Sequence, residues 1–313
     1  MTVRDRNDSG GGRNDNWIVM KILVIGAKGQ LGHEIVKLSS SVEHEFIFTD
    51  LLGDGEGIEA LDITDPQQVQ QAVSDDIDVI INCAAYNEVD KAEEDDAPAK
   101  KLNTEAVANL AAAAKKAGAL LIHFSTDYVF DGKANVPYTE EDTPSPLSIY
   151  GRSKLAGEEA VTASGCRYMI FRTSWLYSLT GRNFFKTMAN KCAASASIKV
   201  VIDQAGTPTY AYDLAYLVLH IIETGQLDKT GIYHYSNEGV ASWYDFAKEI
   251  NDMLGYTCDV QTCRTSEFQR KAARPNYSVM DKKKVKDAFG VQIPHWRESL
   301  AFLVEEYLQI GDK

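Results

Sequence analysis

A glycine-rich turn directly after the first apolar run constrains the fold of this chain most. Residues 21–25 read KILVI, and residues 26–32 read GAKGQLG before a helical stretch that continues to about residue 39. Glycines let the backbone turn tightly and approach a pyrophosphate, and the N-terminus of the following helix favours its negative charge. The alternative is a tight turn before an ordinary helix. The pattern predicts a dinucleotide site that contains Gly26, Gly29, Gln30, Leu31 and Gly32.

An acidic residue at the end of the second strand supports the dinucleotide reading. The strand 45–49 ends at Asp50, 18 positions after Gly32. A carboxylate at this place binds the hydroxyls of the adenosine ribose and disfavours a 2′-phosphate, which indicates NADH. The cation of Lys28 can tolerate a 2′-phosphate, however. Both NADH and NADPH therefore remain open as the cofactor.

Apolar runs alternate with helical stretches over residues 20–172, which is typical of a parallel sheet with helices on both faces. We therefore predict an α/β fold, a doubly wound parallel Rossmann sheet that binds the dinucleotide. The predicted strands are 21–25, 45–49, 78–82, 120–124 and 168–171, and the predicted helices are 30–39, 66–73, 97–117 and 148–163.

The pattern becomes irregular after residue 172. We predict a smaller α/β domain over 173–313 that binds the substrate, with about 203–228 packing back on the first domain. Within it, the expected strands are 198–202 and 231–236, and the expected helices are 211–224, 242–254 and 296–309.

The charge balance disfavours nucleic acid as a partner. The 32 Lys and Arg residues against 45 Asp and Glu residues give a net charge of −13, which repels phosphates over most of the surface. The sequence has no apolar run of about 18 residues, so we expect no transmembrane helix and no membrane partner. The 5 cysteines have neither zinc-site spacing nor a disulfide pattern, which favours free thiols and a cytoplasmic location.

Residues 1–19 differ in composition from the rest of the chain. They contain three consecutive glycines and many Ser, Asn, Asp and Arg residues, and they lack the apolar segment of a signal peptide. We interpret them as a disordered leader outside the fold, either an expression leader or a misassigned start. Their arginines and aspartates cancel, so the net charge belongs to the remainder.

A tyrosine and a lysine on one predicted helix form the first catalytic candidate. Tyr150 and Lys154 are separated by one helical turn, so their side chains share one face. A phenol with a pKa of about 10 is a poor acid or base at neutral pH. A nearby lysine cation and the charge of the nicotinamide stabilise the phenolate and lower that pKa. Thr126 ends the fifth predicted strand, 24 residues before Tyr150.

Several longer motifs resemble one family closely. Residues 124–132 read FSTDYVFDG, residues 144–158 contain P-x-x-x-x-x-Y-G-x-S-K-x-x-G-E, residues 172–177 read RTSWLY, residues 203–209 read DQAGTPT, and residues 273–275 read ARP. With the glycine-rich turn at 26–32, the resemblance covers the chain from residue 20 to about residue 310. The sequence resembles the dTDP-4-dehydrorhamnose reductases, which are extended members of the short-chain dehydrogenase/reductase superfamily.

The resemblance implies a reaction and its catalytic residues. The family reduces the 4-keto group of dTDP-4-dehydro-6-deoxy-L-mannose with NADH or NADPH and forms dTDP-L-rhamnose, so a nucleotide-sugar is the expected substrate. Tyr150 is then expected to donate the proton, and Lys154 to hold the nicotinamide ribose and lower the pKa of Tyr150. Thr126 is expected to hydrogen-bond the substrate carbonyl.

The same resemblance implies further contacts. We expect the sugar or the thymine to contact Asp127, Tyr128 and Trp175, and the diphosphate to contact Asn183 and Arg274. We expect the adenine and the rest of the cofactor to contact Asp62, Ile63, Ala84, Ala85 and Tyr86.

Two departures from the family pattern bear on ligands. Asn87 stands where the family often has a Thr near the sugar. Some members bind a divalent metal through glutamates at a dimer contact. Glu34 matches one such position, but Tyr212 replaces the second glutamate, so we predict no metal and leave a homodimer open.

Two other functions remain as alternatives. One is a reductase for a different nucleotide-linked keto-sugar, which the same fold permits. The other is a non-catalytic NADP-binding regulatory subunit of the same fold, like the beta subunit of methionine adenosyltransferase. The presence of Thr126, Tyr150 and Lys154 argues against the second, because a pure binder needs no proton donor.

Overall fold

A seven-stranded parallel sheet organises the molecule. The computed structural model describes residues 19–268 and 270–311; the predicted leader, apart from residue 19, lies outside them. The sheet has the order β11-β6-β5-β4-β1-β2-β3, and every neighbouring pair is parallel. Its strands are β1 (Lys21–Ile25), β2 (Glu45–Asp50), β3 (Ile58–Ala60), β4 (Val79–Asn82), β5 (Leu120–Thr126), β6 (Arg167–Thr173) and β11 (Gly231–His234).

The remaining strands form three two-stranded pairs. They are β7 (Leu176–Tyr177), β8 (Ser197–Val201), β9 (Ala205–Gly206), β10 (Thr209–Tyr210), β12 (Ala241–Ser242) and β13 (Asp259–Cys263). β10 pairs with β7 and β13 pairs with β8 in parallel, and β12 pairs with β9 in antiparallel orientation.

The helices alternate with the strands as a doubly wound fold requires. They are α1 (Gln30–Ser39), α2 (Pro66–Ala72), α3 (Val89–Ala92), α4 (Ala97–Lys100), α5 (Ala106–Ala117), α6 (Ile149–Ser164), α7 (Phe184–Ala194), α8 (Ala211–Glu223), α9 (Trp243–Met253), α10 (Lys283–Phe289) and α11 (Trp296–Gly311). A π-helical segment, Lys101–Glu105, joins α4 to α5, so the long predicted helix is present with an internal irregularity.

Successive side chains of each central strand enter opposite layers of the core, because a strand alternates its faces. Ile22 and Val24 pack on the face covered by α1, α8 and α10, whereas Leu23 and Ile25 pack on the face covered by α2, α5 and α6. All four are almost completely buried. This two-sided burial explains why the strands read as continuous apolar runs.

The division at residue 172 is less simple than the sequence predicts. α8 packs against the sheet beside α1. Two later segments also pack with the first domain. β11 forms an edge strand of the seven-stranded sheet, and α10 covers the sheet face that α1 and α8 cover. The second lobe has its own core around Phe185, Phe246 and Trp296. Within the described ranges, no helix has the length and hydrophobicity needed to cross a bilayer.

Candidate active site

The glycine turn lies at the carboxyl end of β1, between β1 and β4, where a doubly wound sheet binds its ligand. Gly26 has a φ of +78°, and a Cβ there would lie 2.7 Å from the backbone nitrogen of Ala84. A Cβ on Gly32 would lie 2.1 Å from the carbonyl oxygen of Gly26. The turn therefore has no room for side chains at these two positions, and its backbone stays open to a ligand.

The start of α1 is suited to a pyrophosphate. Gly29 is the N-cap and offers no side-chain acceptor, so the first amides of this ten-residue helix have no side-chain cap. Uncapped helix N-termini donate hydrogen bonds to anions. The residues present thus fit a dinucleotide, with the turn as the phosphate cradle.

Asp50 and Lys28 lie together beside this turn, at the end of β2. The Asp50 carboxylate accepts hydrogen bonds from the backbone nitrogens of Lys28 (3.0 Å) and Leu51 (2.8 Å). The Lys28 ammonium donates to the carbonyls of Leu52 (2.7 Å) and Gly53 (3.1 Å). A carboxylate and a cation therefore flank the expected ribose position, and the geometry leaves both cofactors compatible.

A Gly32→Ala substitution should damage this turn. The added methyl group must displace the Gly26 carbonyl, and overpacking of this kind costs about 1–3 kcal/mol. We expect a lower Tm and about tenfold or greater loss of affinity for NADH and NADPH, measured by fluorescence titration. His33→Ala, at the exposed neighbouring position, is the matched control. Equal affinities for the two variants would contradict this account of the turn.

Thr126, Tyr150 and Lys154 meet at the same edge of the sheet. Thr126 is the last residue of β5, and α6 carries Tyr150 and Lys154. The Lys154 ammonium donates to the carbonyl of Phe124 at 2.6 Å and is almost completely buried. Burial lowers the pKa of Lys154 to about 8, and the carboxylate of Glu158 opposes this shift. Lys154 is therefore a cation at neutral pH.

The expected lowering of the Tyr150 pKa is not found in the protein alone. Burial raises the pKa of Tyr150 to about 12; the Thr126 hydroxyl opposes the shift, and the Asp127 carboxylate adds to it. The Lys154 ammonium is bound to the Phe124 carbonyl instead. Tyr150 is consequently protonated at neutral pH, which is the form that a proton donor to a ketone requires.

Asn103 lies beside Tyr86 and Lys154 and was not among the residues predicted from the sequence. It lies in the π-helical segment and is almost completely buried. Its amide oxygen accepts from the Tyr86 nitrogen at 2.9 Å, and its amide nitrogen donates to the Tyr86 carbonyl at 2.9 Å and to Ser153 Oγ at 3.0 Å. It therefore ties the loop after β4 to α6 beside Lys154. π-Bulges are frequent at functional sites. The Ala-rich sequence of this segment, however, predicts a regular helix and does not indicate a bulge.

Asp127 and Tyr128 follow Thr126 in a 3₁₀ turn. Asp127 is only 1% exposed, and its Oδ1 accepts a hydrogen bond from Thr126 Oγ1 at 3.1 Å. The ring of Tyr128 packs edge-on against the ring of Tyr150, with 5.7 Å between the ring centroids. Burial raises the pKa of Tyr128, and the Arg274 guanidinium opposes this.

A cationic cavity of about 470 Å³ adjoins this group. Its lining includes Gln204, Phe268, Arg270, Lys271 and Arg274. Arg274 forms a two-pronged ion pair with Asp90, at 3.1 and 2.9 Å, and Arg270 lies 3.6 Å from the same carboxylate. The local charge is thus positive although the whole chain is acidic.

Two stacked tryptophans lie beside Gln204. The rings of Trp175 and Trp243 are parallel, with 3.5 Å between their centroids, and Trp243 Nε1 donates to Gln204 Oε1 at 3.1 Å. Trp175 has a φ of +48°, an uncommon value for a residue with a side chain. One face of Trp175 is therefore covered by Trp243, a partner that the sequence did not indicate.

Asn183 makes contacts within the protein that the sequence did not indicate. Its amide oxygen caps α7, and its amide nitrogen donates to Gln30 Oε1 at 2.9 Å and to the Ser178 carbonyl at 2.7 Å. The side chain therefore joins the second lobe to the glycine turn. The expected contact with the diphosphate stays a prediction.

The remaining cofactor candidates follow β3 and β4, and their side chains make different contacts. Asp62 accepts from the Thr64 nitrogen at 2.9 Å and hydroxyl at 2.7 Å, and the side chain of Ile63 is in the core. Ala84, Ala85 and Tyr86 follow β4, with the Ala84 nitrogen held by Asn82 Oδ1 at 3.1 Å.

Glu34 lies on α1 and is almost completely buried. Burial raises the pKa of Glu34 to about 7, and the nearby Lys37 ammonium opposes the shift. Tyr212 is close enough to be influenced by the Glu34 charge. Among the described residues, no three His, Cys, Asp or Glu side chains are grouped as metal ligands.

Known proteins match most of this chain. The sequence model of the family described as RmlD substrate binding domain matches residues 20–309. A dTDP-4-dehydrorhamnose reductase from Burkholderia thailandensis is 38% identical over 304 residues, which cover 92% of this chain and 99% of that protein.

Solved structures agree with the sequence relatives. A dTDP-4-dehydrorhamnose reductase from Clostridium acetobutylicum has 43% identity and a TM-score of 0.86, covering 92% of this chain and 100% of that one. The same enzyme name is given to a Bacillus anthracis structure in complex with NADP, with 37% identity, a TM-score of 0.85, and coverage of 92% and 100%.

Proposed function

The chain belongs to the RmlD family of dTDP-4-dehydrorhamnose reductases, and on that premise we propose that it reduces the 4-keto group of dTDP-4-dehydro-6-deoxy-L-mannose to give dTDP-L-rhamnose. It is an NADH- or NADPH-dependent oxidoreductase. One observation carries the proposal. Thr126, Tyr150 and Lys154 lie together at the carboxyl edge of the sheet that also holds the glycine turn.

The cofactor supplies the hydride to C4 of the sugar when it is bound. Tyr150 donates its proton to the oxygen of the forming alkoxide, and the raised pKa keeps that proton in place at neutral pH. Lys154 lies one helical turn after Tyr150 on α6, and its ammonium is anchored by the Phe124 carbonyl, so its role in this proposal is to hold the nicotinamide ribose. Thr126 holds the ketone oxygen in place, so that its orientation is fixed before the reaction.

The cationic cavity supports a diphosphate-linked substrate. Guanidinium groups bind phosphates through paired hydrogen bonds, and Arg270 and Arg274 both line the cavity. Their partner Asp90 holds them in place before binding. Trp175 lies against Trp243 and Gly206, and it is the aromatic side chain that we expect to contact the sugar or the base. This local positive charge reconciles the net charge of −13 with two anionic ligands.

Turnover of the purified chain tests the proposal. NADH or NADPH and enzymatically prepared dTDP-4-dehydro-6-deoxy-L-mannose are mixed with the protein, and loss of nicotinamide absorbance is followed. We expect consumption of reduced cofactor that depends on the sugar and yields dTDP-L-rhamnose. Absence of turnover with both cofactors would overturn the proposal. Faster turnover of another nucleotide-linked keto-sugar would show that the protein is a keto-sugar reductase with a different substrate.

We also propose that the protein is cytoplasmic and that it forms a homodimer. The five cysteines are free thiols, four of them buried, as is usual in a reducing compartment. The family's nucleotide-linked substrate is in keeping with that location. Sedimentation equilibrium of the purified protein measures whether it is a dimer.

A further inference from the structure

A side-chain amide of the second lobe is hydrogen-bonded to the first residue of α1. Asn183 lies at the start of α7, and its Nδ2 donates to Gln30 Oε1 at 2.9 Å. The loop before α7 packs directly on Gln30, because a Cβ on Gly181 would lie 3.3 Å from Gln30 Cγ. Gln30 belongs to the glycine turn, so this contact joins the second lobe to the phosphate cradle.

The cap of α7 fixes the direction of the Asn183 amide. Its Oδ1 accepts from the backbone nitrogen of Lys186 at 3.0 Å, and its Nδ2 donates to the Ser178 carbonyl at 2.7 Å. The reversed amide would place a donor against the Lys186 nitrogen and an oxygen against the Ser178 carbonyl, so both hydrogen bonds would be lost. The atom of Asn183 that faces Gln30 is therefore the nitrogen.

The Asn183 nitrogen in turn fixes the direction of the Gln30 amide. An amide nitrogen only donates, so the atom of Gln30 that lies 2.9 Å from it must be the oxygen. The Ser178 hydroxyl approaches the same oxygen at 3.3 Å. Gln30 Nε2 is the other branch of the amide, and it has no hydrogen-bond partner among the residues that the structure describes. Its two protons are free for a ligand.

A donor with free protons at the start of α1 suits an anion. Gln30 is the first residue of this helix, and the opening amides of the helix have no side-chain cap. A pyrophosphate in the cradle is only an acceptor, so it binds amide nitrogens and is repelled by amide oxygens. The orientation that Asn183 imposes on Gln30 is thus the one that a pyrophosphate needs.

We propose that Asn183 is a positioning residue, which orients the Gln30 amide from the second lobe so that Gln30 Nε2 donates to the pyrophosphate of NADH or NADPH. This inference rests on the proposed function for its cofactor, but it does not depend on which keto-sugar is reduced. Asn183 here acts through Gln30, whereas the contact predicted from the sequence is with the substrate diphosphate.

The cofactor affinities of Gln30→Ala, Asn183→Ser and the double variant test the bridge. Serine keeps an oxygen that can cap α7 but has no nitrogen for Gln30. We expect the Kd of the preferred cofactor to rise about tenfold in Gln30→Ala and about fivefold in Asn183→Ser, because one hydrogen bond to a charged group is lost or weakened. The double variant should bind within about twofold of Gln30→Ala. Multiplicative losses would overturn the proposal.

Gln30→Glu separates positioning from a purely structural link between the lobes. Glutamate retains an acceptor for Asn183 but replaces Nε2 with an oxygen that repels the pyrophosphate. We expect Kd to rise about 100-fold, more than in Gln30→Ala, with Tm nearly unchanged. His33→Glu adds a negative charge at an exposed position of α1 and should change Kd less than about threefold. Wild-type affinity of Gln30→Glu would mean that Gln30 only joins the lobes, which would overturn the proposal.

Two ligand fragments identify the partner of each amide. ADP-ribose has the pyrophosphate without the nicotinamide, so its Kd should rise by the same factors as that of the cofactor; a loss confined to the whole cofactor would contradict the proposal. The nucleotide dTDP should bind Asn183→Ser as tightly as the wild type. Weaker binding of dTDP with unchanged cofactor affinity would reject the proposal in favour of direct contact between Asn183 and the substrate diphosphate. These titrations need no turnover, so their result is separate from the test of the keto-sugar.

Discussion

A Tyr150→Phe substitution is expected to lower kcat by about 1,000-fold while the protein still folds and binds its cofactor. The phenol hydroxyl is the group placed to give a proton, and general acid catalysis is worth about 10² to 10⁴ in rate. A 1,000-fold loss corresponds to about 4 kcal/mol of transition-state stabilisation. The measurement is kcat for the keto-sugar with saturating NADH or NADPH, together with cofactor affinity by fluorescence titration.

Tyr168→Phe is the matched control for this experiment. Tyr168 lies on β6, towards the amino end of the strand and so away from the site edge, and packs half-buried in the core. Removal of its hydroxyl should leave kcat within about twofold, as for most changes outside special sites. Near wild-type turnover of Tyr150→Phe would exclude Tyr150 as the donor. Loss of cofactor binding in that variant would mean that the phenol has a structural task instead.

Sequence patterns predicted the sheet and its edge because parallel strands bury both faces. The runs at 21–25, 45–49, 78–82 and 120–124 are all strands, and the helices at 30–39, 211–224 and 242–254 agree within about one residue. The joining of 231–234 to the sheet was not predicted. Strand order depends on contacts between distant segments, and a short four-residue strand carries no sign of its neighbour.

The site was predicted only in part for a related reason. Motifs identified Thr126, Tyr150 and Lys154, because each must supply a given chemical group at a given spacing. Asn103 was missed because its contacts depend on a π-helical irregularity. The contacts that Asn183 makes with α7 and with Gln30 were not predicted either, because they arise only on folding. The pKa of Tyr150 was misjudged too, because burial outweighs a lysine whose ammonium binds a backbone carbonyl.

The largest effect on stability should come from Arg172→Met. Arg172 and Glu158 form a buried ion pair with hydrogen bonds of 2.7 to 3.2 Å, and their side chains are 3% and 2% exposed. Removal of the guanidinium leaves a carboxylate buried without its partner, which costs about 3–5 kcal/mol in unfolding free energy. We expect a decrease in Tm of about 10 °C by calorimetry.

The control for that prediction is a Lys–Asp ion pair that is exposed to solvent. Lys283 and Asp287 form an ion pair within α10, with side chains 76% and 62% exposed, so Lys283→Met should cost less than about 1 kcal/mol. An equal decrease in Tm for the two variants would show that burial does not decide the strength of the pair. A double variant, Arg172→Met with Glu158→Leu, should recover part of the lost stability, because no isolated charge remains.

The double variant should also separate stability from catalysis, because Glu158 acts on Lys154. The Glu158 carboxylate opposes the lowering of the Lys154 pKa by burial, which otherwise brings it to about 8. Without Glu158 the pKa of Lys154 falls further, so the cation is lost at a lower pH. We therefore expect kcat of the double variant to decline at a lower pH than that of Arg172→Met, which retains Glu158. Identical pH profiles for the two variants would show that Glu158 has no influence on the Lys154 charge.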